Sequence, residues 1–153
     1  MIQNPITFQV AEVQLRYYPK FKSSERPKVA TSKETHQVLY NTWDLGKINL
    51  VEEFKIMLLN RACRVLGVMT ISSGGISGTV ADPKIIFAAA LKATASSIIL
   101  SHNHPSGNLK PSDSDIRLTS RLIDGGKLLD ITILDHIIIS SEGYYSFADE
   151  GLL

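Results

Sequence analysis

The 153-residue chain has a single cysteine, Cys63, so no disulfide can close within it, and a reducing, cytoplasmic setting is expected. Long apolar runs are missing as well. The longest, Ile85 to Leu91, falls far short of the roughly 20 residues needed to cross a bilayer. Met1 to Val10 holds no Lys or Arg and no long apolar stretch, so no secretory leader is expected. No excess of one charge stands out. Sixteen Lys plus Arg face fifteen Asp plus Glu, a net charge of +1, which argues against autonomous binding to nucleic acid. No glycine-rich phosphate loop is present, since Ser73-Gly74-Gly75 is too short and lacks a lysine. The composition itself, 44% hydrophobic and 20% charged, is that of an ordinary globular domain.

Hydrophobic patterning alternates between strand and helix periods, which predicts one layered α/β domain. Thr7–Tyr17 reads as a strand, Pro19–Lys28 as a loop, and Ser32 as the cap of a helix over Lys33–Leu45 that Gly46 stops. Leu50–Leu59 and Arg64–Ser72 form a predicted hairpin about Asn60–Cys63, with a short strand over Gly78–Ala81. Asp82 caps a helix running from Pro83 to about Ser96. Ser97–Ser101 is a buried strand. A further helix begins at Ser112 with Ile116, Leu118, Leu122 and Ile123 on its apolar side, and Gly125-Gly126 stop it. Ile131–Ser140 is the last buried strand, and Tyr144–Phe147 pairs with it. Residues 1–36 are rich in Lys and Arg and 128–153 carry only acids, which reads as two solvated surfaces rather than a docking arm.

The chemistry concentrates in His102-Asn103-His104-Pro105, with Ser112 and Asp115 downstream. Residues i and i+2 of an extended chain face one side, so both imidazoles converge. A first-turn helical Asp leans back toward the N-terminus and can join them. Two imidazoles and a carboxylate make a zinc triad with bonds of about 2.0–2.2 Å, leaving a fourth position open for water. Ser112 and Asp115 also have the spacing of an ordinary helix cap, and each histidine alone is an ordinary residue. His136, in the last buried strand, reads as a satisfied structural histidine with a supporting role near the metal as the alternative. His36 reads as a surface residue and Cys63 as chemically silent. Ser106 and Gly107 lack the strand-to-helix elbow of a serine hydrolase.

The string resembles the JAMM (MPN-plus) metalloprotease motif, H-x-H-P-x6-S-x2-D. From about Glu52 to Phe147 the chain is similar, more closely, to the bacterial RadC proteins, through His102–Gly107, Pro111–Asp115 and Leu134–Ile137. The resemblance implies a three-layer mixed sheet flanked by helices, cytidine-deaminase-like, in a single domain. Residues 1–48 would be an N-terminal strand and helix extension and 49–153 the metal-binding core. It implies His102, His104 and Asp115 as ligands of Zn2+, Ser112 as an oxyanion donor, and an upstream glutamate as general base. Glu52 and Glu53 are adjacent candidates on opposite faces of a strand, and the RadC spacing, two residues before Phe54, favours Glu52. Longer RadC relatives carry a helix-hairpin-helix region associated with DNA, and no such module is expected here.

The expected function is therefore a zinc-dependent hydrolase, a metallopeptidase or isopeptidase acting on a peptide or protein substrate, with no membrane partner. Two other readings belong to different classes: a RadC-like factor in DNA repair, and a partner-binding domain that the metal only stabilises.

Overall fold

The computed structural model describes residues 9–14, 16–75 and 80–153. It contains strands β1 (Glu53–Leu59), β2 (Val65–Ser73), β3 (Ser97–Asn103), β4 (Thr132–Ile139) and β5 (Tyr144–Ser146). Three α-helices accompany them: α1 (Ser32–Tyr40), α2 (Pro83–Lys92) and α3 (Asp113–Leu128). The strands form one five-stranded sheet in the order β2-β1-β3-β4-β5. β3 and β4 are parallel, with α3 as their crossover, and the other neighbouring pairs are antiparallel.

Alternation along the strands sends side chains to two cores. Phe54, Ile56 and Leu58 of β1 pack with Ile86 and Ala90 of α2 and Leu122 of α3 on one face. Met57 and Leu59 pack with Leu39 of α1, Trp43 and Ile48 on the other. The sheet is thus the middle of three layers, as expected, and β3 at its centre is buried at all seven positions. A strand covered on both faces has no polar side, which is why Ser-Ile-Ile-Leu-Ser reads as a near-continuous apolar run.

Element boundaries differ from the sequence reading where local chemistry overrides periodicity. Among the described residues of Thr7–Tyr17, no strand forms. Val10 and Val13 are almost fully exposed, and alternation without a neighbouring strand leaves the backbone with no ladder to join. The first helix is capped by Thr31 rather than Ser32, through a reciprocal box with Glu34, and ends five residues early at Tyr40. The hydroxyl of Thr42 donates to the Leu39 carbonyl at 2.7 Å and closes that end. Helix α2 stops at Lys92 because Thr94 takes a left-handed φ of 55°, turning the chain into β3. Val80 and Ala81 are not in a strand, and Gly78 lies outside the described residues. Ile116 is 40% exposed instead of facing the core. The hairpin β1–β2 and the pairing of β4 with β5 are as expected.

His36 corrects another expectation: it is half-buried, stacked on Tyr144 at 4.5 Å, and its Nε2 is enclosed without a hydrogen-bond partner. Burial lowers its pKa. The unfolded chain takes up this proton near pH 6.5 and the folded chain only at lower pH, so His36 withdraws stability as the pH falls below about 6.5. His36→Phe keeps the stacking and removes the unpaired nitrogen. Denaturant unfolding at pH 7 should show a gain of about 1 kcal/mol, and the gain should widen at pH 5.5. A loss at both pH values would mean the ring nitrogen is paired after all.

Candidate metal centre

His102 is the next-to-last residue of β3 and sits opposite Phe54 in the antiparallel register, with its ring stacked 6.0 Å from that phenyl group. His104 follows the strand, its N–H bonded to the Ile139 carbonyl at 2.9 Å. Gly107, with φ at +81°, then turns the chain away toward α3. Ser112 caps α3 with the reciprocal box its spacing suggested. Its hydroxyl accepts from the Asp115 N–H, and its own N–H donates to Asp115 Oδ2 at 2.7 Å. Capping and site-building are therefore one arrangement. The box that starts the helix also holds the Asp115 carboxylate against the histidines.

One ligand atom from each of His102, His104 and Asp115 lies within 4.8 Å of the others. The two Nε2 atoms are 2.9 Å apart, and Asp115 Oδ1 is 3.4 Å from His102 Nε2. Asp115 Oδ2 is 3.8 Å from His104 Nε2. Tetrahedral bonds of about 2.0–2.1 Å put neighbouring ligand atoms roughly 3.3 Å apart, so the three separations bracket what zinc requires. Protonation agrees. His104 Nδ1 faces the Asn108 carbonyl, which can only accept, so that nitrogen carries the proton and Nε2 offers a lone pair. Burial tends to raise the Asp115 carboxyl, but the adjacent His102 ring and the bonds from Ser112 outweigh it and hold the group well below the usual carboxylate range. The donor set suits a divalent cation.

Glu52 immediately precedes β1. Its carbonyl accepts from Gly74, and its side chain lines a cleft of about 310 Å³ with His104, Asn108, Lys110 and Ser112. Glu53 goes the other way. Its carboxylate is 3.6 Å from Lys55 Nζ, which also donates to the Thr42 carbonyl on the α1 side of the sheet. The segment bearing Glu52 is pinned by Asn103, between the two histidines. Asn103 is fully buried, its amide donates to the Ile48 and Val51 carbonyls at 2.8 and 2.9 Å, and its oxygen accepts from the Glu53 N–H at 2.7 Å. Sequence reasoning passed over Asn103. The only signal was that a residue alternating with two inward histidines faces the opposite layer, where an amide needs partners.

His136 is fully buried beside the cluster, with Nε2 at 2.8 Å from His102 Nδ1 and Nδ1 at 2.7 Å from Thr119 Oγ1. Burial above all, and then the neighbouring His102 ring, push its pKa well down. The hydrogen bonds expected of a structural histidine are there, and one of them reaches a candidate ligand. Asp135 points to the opposite face, where Ser146 Oγ and the backbone N–H of His136 and Ala148 satisfy its carboxylate. Cys63 sits at the hairpin turn with φ of 55°, and no chemistry is assigned to it.

The profile of the RadC-like JAB domain family matches residues 29–152. A UPF0758 protein of Flavobacterium johnsoniae is 45% identical over 101 residues, which are 66% of this chain and 44% of that protein. A UPF0758 protein of Porphyromonas gingivalis is 47% identical over 103 residues, 67% of this chain and 45% of the relative. A third, from Methanosarcina mazei, is 35% identical over 133 residues, 87% of this chain and 57% of its own length. The chain thus matches only about half the length of these relatives.

Proposed function

Because the chain belongs to the RadC-like JAB domain family, we propose that it is a zinc-dependent hydrolase of peptide or isopeptide amides, held to that chemistry by His102, His104 and Asp115. The observation that carries the reading is the convergence of three ligand atoms within 4.8 Å beside a cleft that Glu52 and Ser112 line. A bound zinc ion supplies an acidified water, with pKa near 7, and polarises the scissile carbonyl. The chain's own residues do the rest. Glu52, at the cleft wall, accepts the proton of the attacking water and passes it to the leaving amine. The Ser112 hydroxyl donates to Asp115 Oδ2 at 2.7 Å in the structure and would turn to the developing oxyanion as charge builds. Lys110, in the same cleft, favours acidic or carboxylate-bearing peptide segments over cationic ones.

Among the described residues no helix is long and apolar enough to cross a membrane. No feature of the site favours a nucleic-acid substrate.

The decisive experiment measures metal and turnover together. Protein purified without added metal should carry one zinc per chain, and a panel of fluorogenic peptide and isopeptide amides should be cleaved by it. A chelator should abolish cleavage and zinc should restore it. Cleavage that persists in chelator, or stoichiometric zinc that survives His104→Ala, would overturn the assignment.

A further inference from the structure

We propose that His136 and Thr119 form a proton-fixing relay that holds His102 in the tautomer able to bind metal, an inference that rests on the zinc reading above. The polarity follows from which atoms can only accept. Thr119 Oγ1 lies 2.7 Å from the Asp115 main-chain carbonyl, a separation that requires a hydrogen between two oxygens, and only the hydroxyl has one. With its hydrogen spent, Thr119 Oγ1 accepts from His136 Nδ1 at 2.7 Å. His136 is fully buried between the Phe54 and Phe147 rings, where a second ring proton would be a charge enclosed by apolar groups, so its Nε2 accepts from His102 Nδ1 at 2.8 Å. In the neutral ring, a proton held on Nδ1 leaves His102 Nε2 free for a cation on the side of His104 Nε2 and the Asp115 carboxylate.

The bonds form an open chain. His102 faces the Asp115 carboxylate through Nε2 and meets the backbone of the same residue through His136 and Thr119. Strand β3, strand β4 and the first turns of α3 are thereby tied by one chain of hydrogen bonds, and a cation between Nε2 and the carboxylate would close it into a ring. A ligand imidazole ordinarily gives its second N–H to a carboxylate, carbonyl or water, and here a neutral imidazole takes that place. His136 and Thr119 are positioning residues, acting through His102.

Two substitutions separate relay from mere packing. His136→Leu fills the site but accepts nothing, whereas His136→Gln offers an amide oxygen to His102 and an N–H to Thr119. Zinc affinity, measured by competition with a chromophoric chelator, should fall about 10- to 100-fold in His136→Leu and recover to within a few-fold in His136→Gln. Thr119→Val, nearly isosteric, guards against a misfolded His136 variant and should also weaken zinc binding, while Thr119→Ser should not. Long-range ¹H–¹⁵N spectra of the metal-free protein above pH 7.5 should place the His136 proton on Nδ1. A His136 proton on Nε2, wild-type zinc affinity in His136→Leu, or equal loss in His136→Leu and His136→Gln would overturn the relay. None of these measurements needs turnover. A protein that shows the relay but cleaves no amide sinks the hydrolase reading alone.

Discussion

Glu52→Gln should leave zinc bound and lower amide turnover on the order of a hundredfold or more, since a positioned general base contributes 10²–10⁴. The amide keeps the shape of the carboxylate, and the three candidate ligands lie on other segments, at the end of β3 and in α3. Glu53→Gln should do far less to the rate. Its carboxylate sits 3.6 Å from Lys55 Nζ on the opposite side of the sheet. Each variant is the other's control, because they alter neighbouring residues at one strand start. Zinc loss in Glu52→Gln would recast that residue as a ligand or a folding determinant. Equal losses of rate in both would leave the base unassigned, and loss confined to Glu53→Gln would put the register off by one.

The second large effect is on folding. A Cβ added at Gly126 would lie 2.2 Å from the Ile131 carbonyl oxygen, a backbone atom that cannot step aside. One added at Gly125 would meet only the Phe87 ring, at 2.9 Å. Gly126→Ala should therefore cost about 3 kcal/mol of unfolding free energy, the upper range for forced overpacking. In Gly125→Ala the Phe87 ring can swing, and a helix-propensity gain near 1 kcal/mol offsets the strain, so stability should change by no more than about 1 kcal/mol. Equal midpoints in denaturant for the two variants would show that the Ile131 carbonyl does not close on Gly126 this tightly.

Those glycines show where sequence reading stops. A Gly-Gly pair after an amphipathic run has the form of a helix terminus, yet α3 continues to Leu128. Gly125 serves the packing of α3 on Phe87 of α2, and Gly126 the tight turn in which the chain folds back on the helix end before β4, neither of which periodicity reveals. The described residues of Thr7–Tyr17 form no strand for the related reason that alternation specifies one only where a neighbour exists to pair with it. What could be read was local. The capping spacing of Ser112 and Asp115, the two-residue step between His102 and His104, and the buried run of β3 are each decided within a turn or a strand. Of the two glutamates expected on opposite faces of a strand, Glu53 opens β1 and pairs with Lys55, while Glu52 precedes the strand and lines the cleft with His104. The His136 contact could not be read that way. It joins residues 34 apart in sequence, brought together by a parallel crossover.

Wholly covered and flanked on both sides, β3 also divides the centre into two kinetic parts. His102 lies in a strand buried at every position, whose amides should exchange with solvent only when much of the molecule opens, whereas residues 105–111 have no strand or helix to hold them. A cation leaving this centre would depart through fluctuation of that segment, with His102 still seated in the sheet and the His104 N–H tied to Ile139 of β4. Release and recapture would then run on the clock of a surface loop, far faster than unfolding, and the vacated half-site would keep its shape for the next ion.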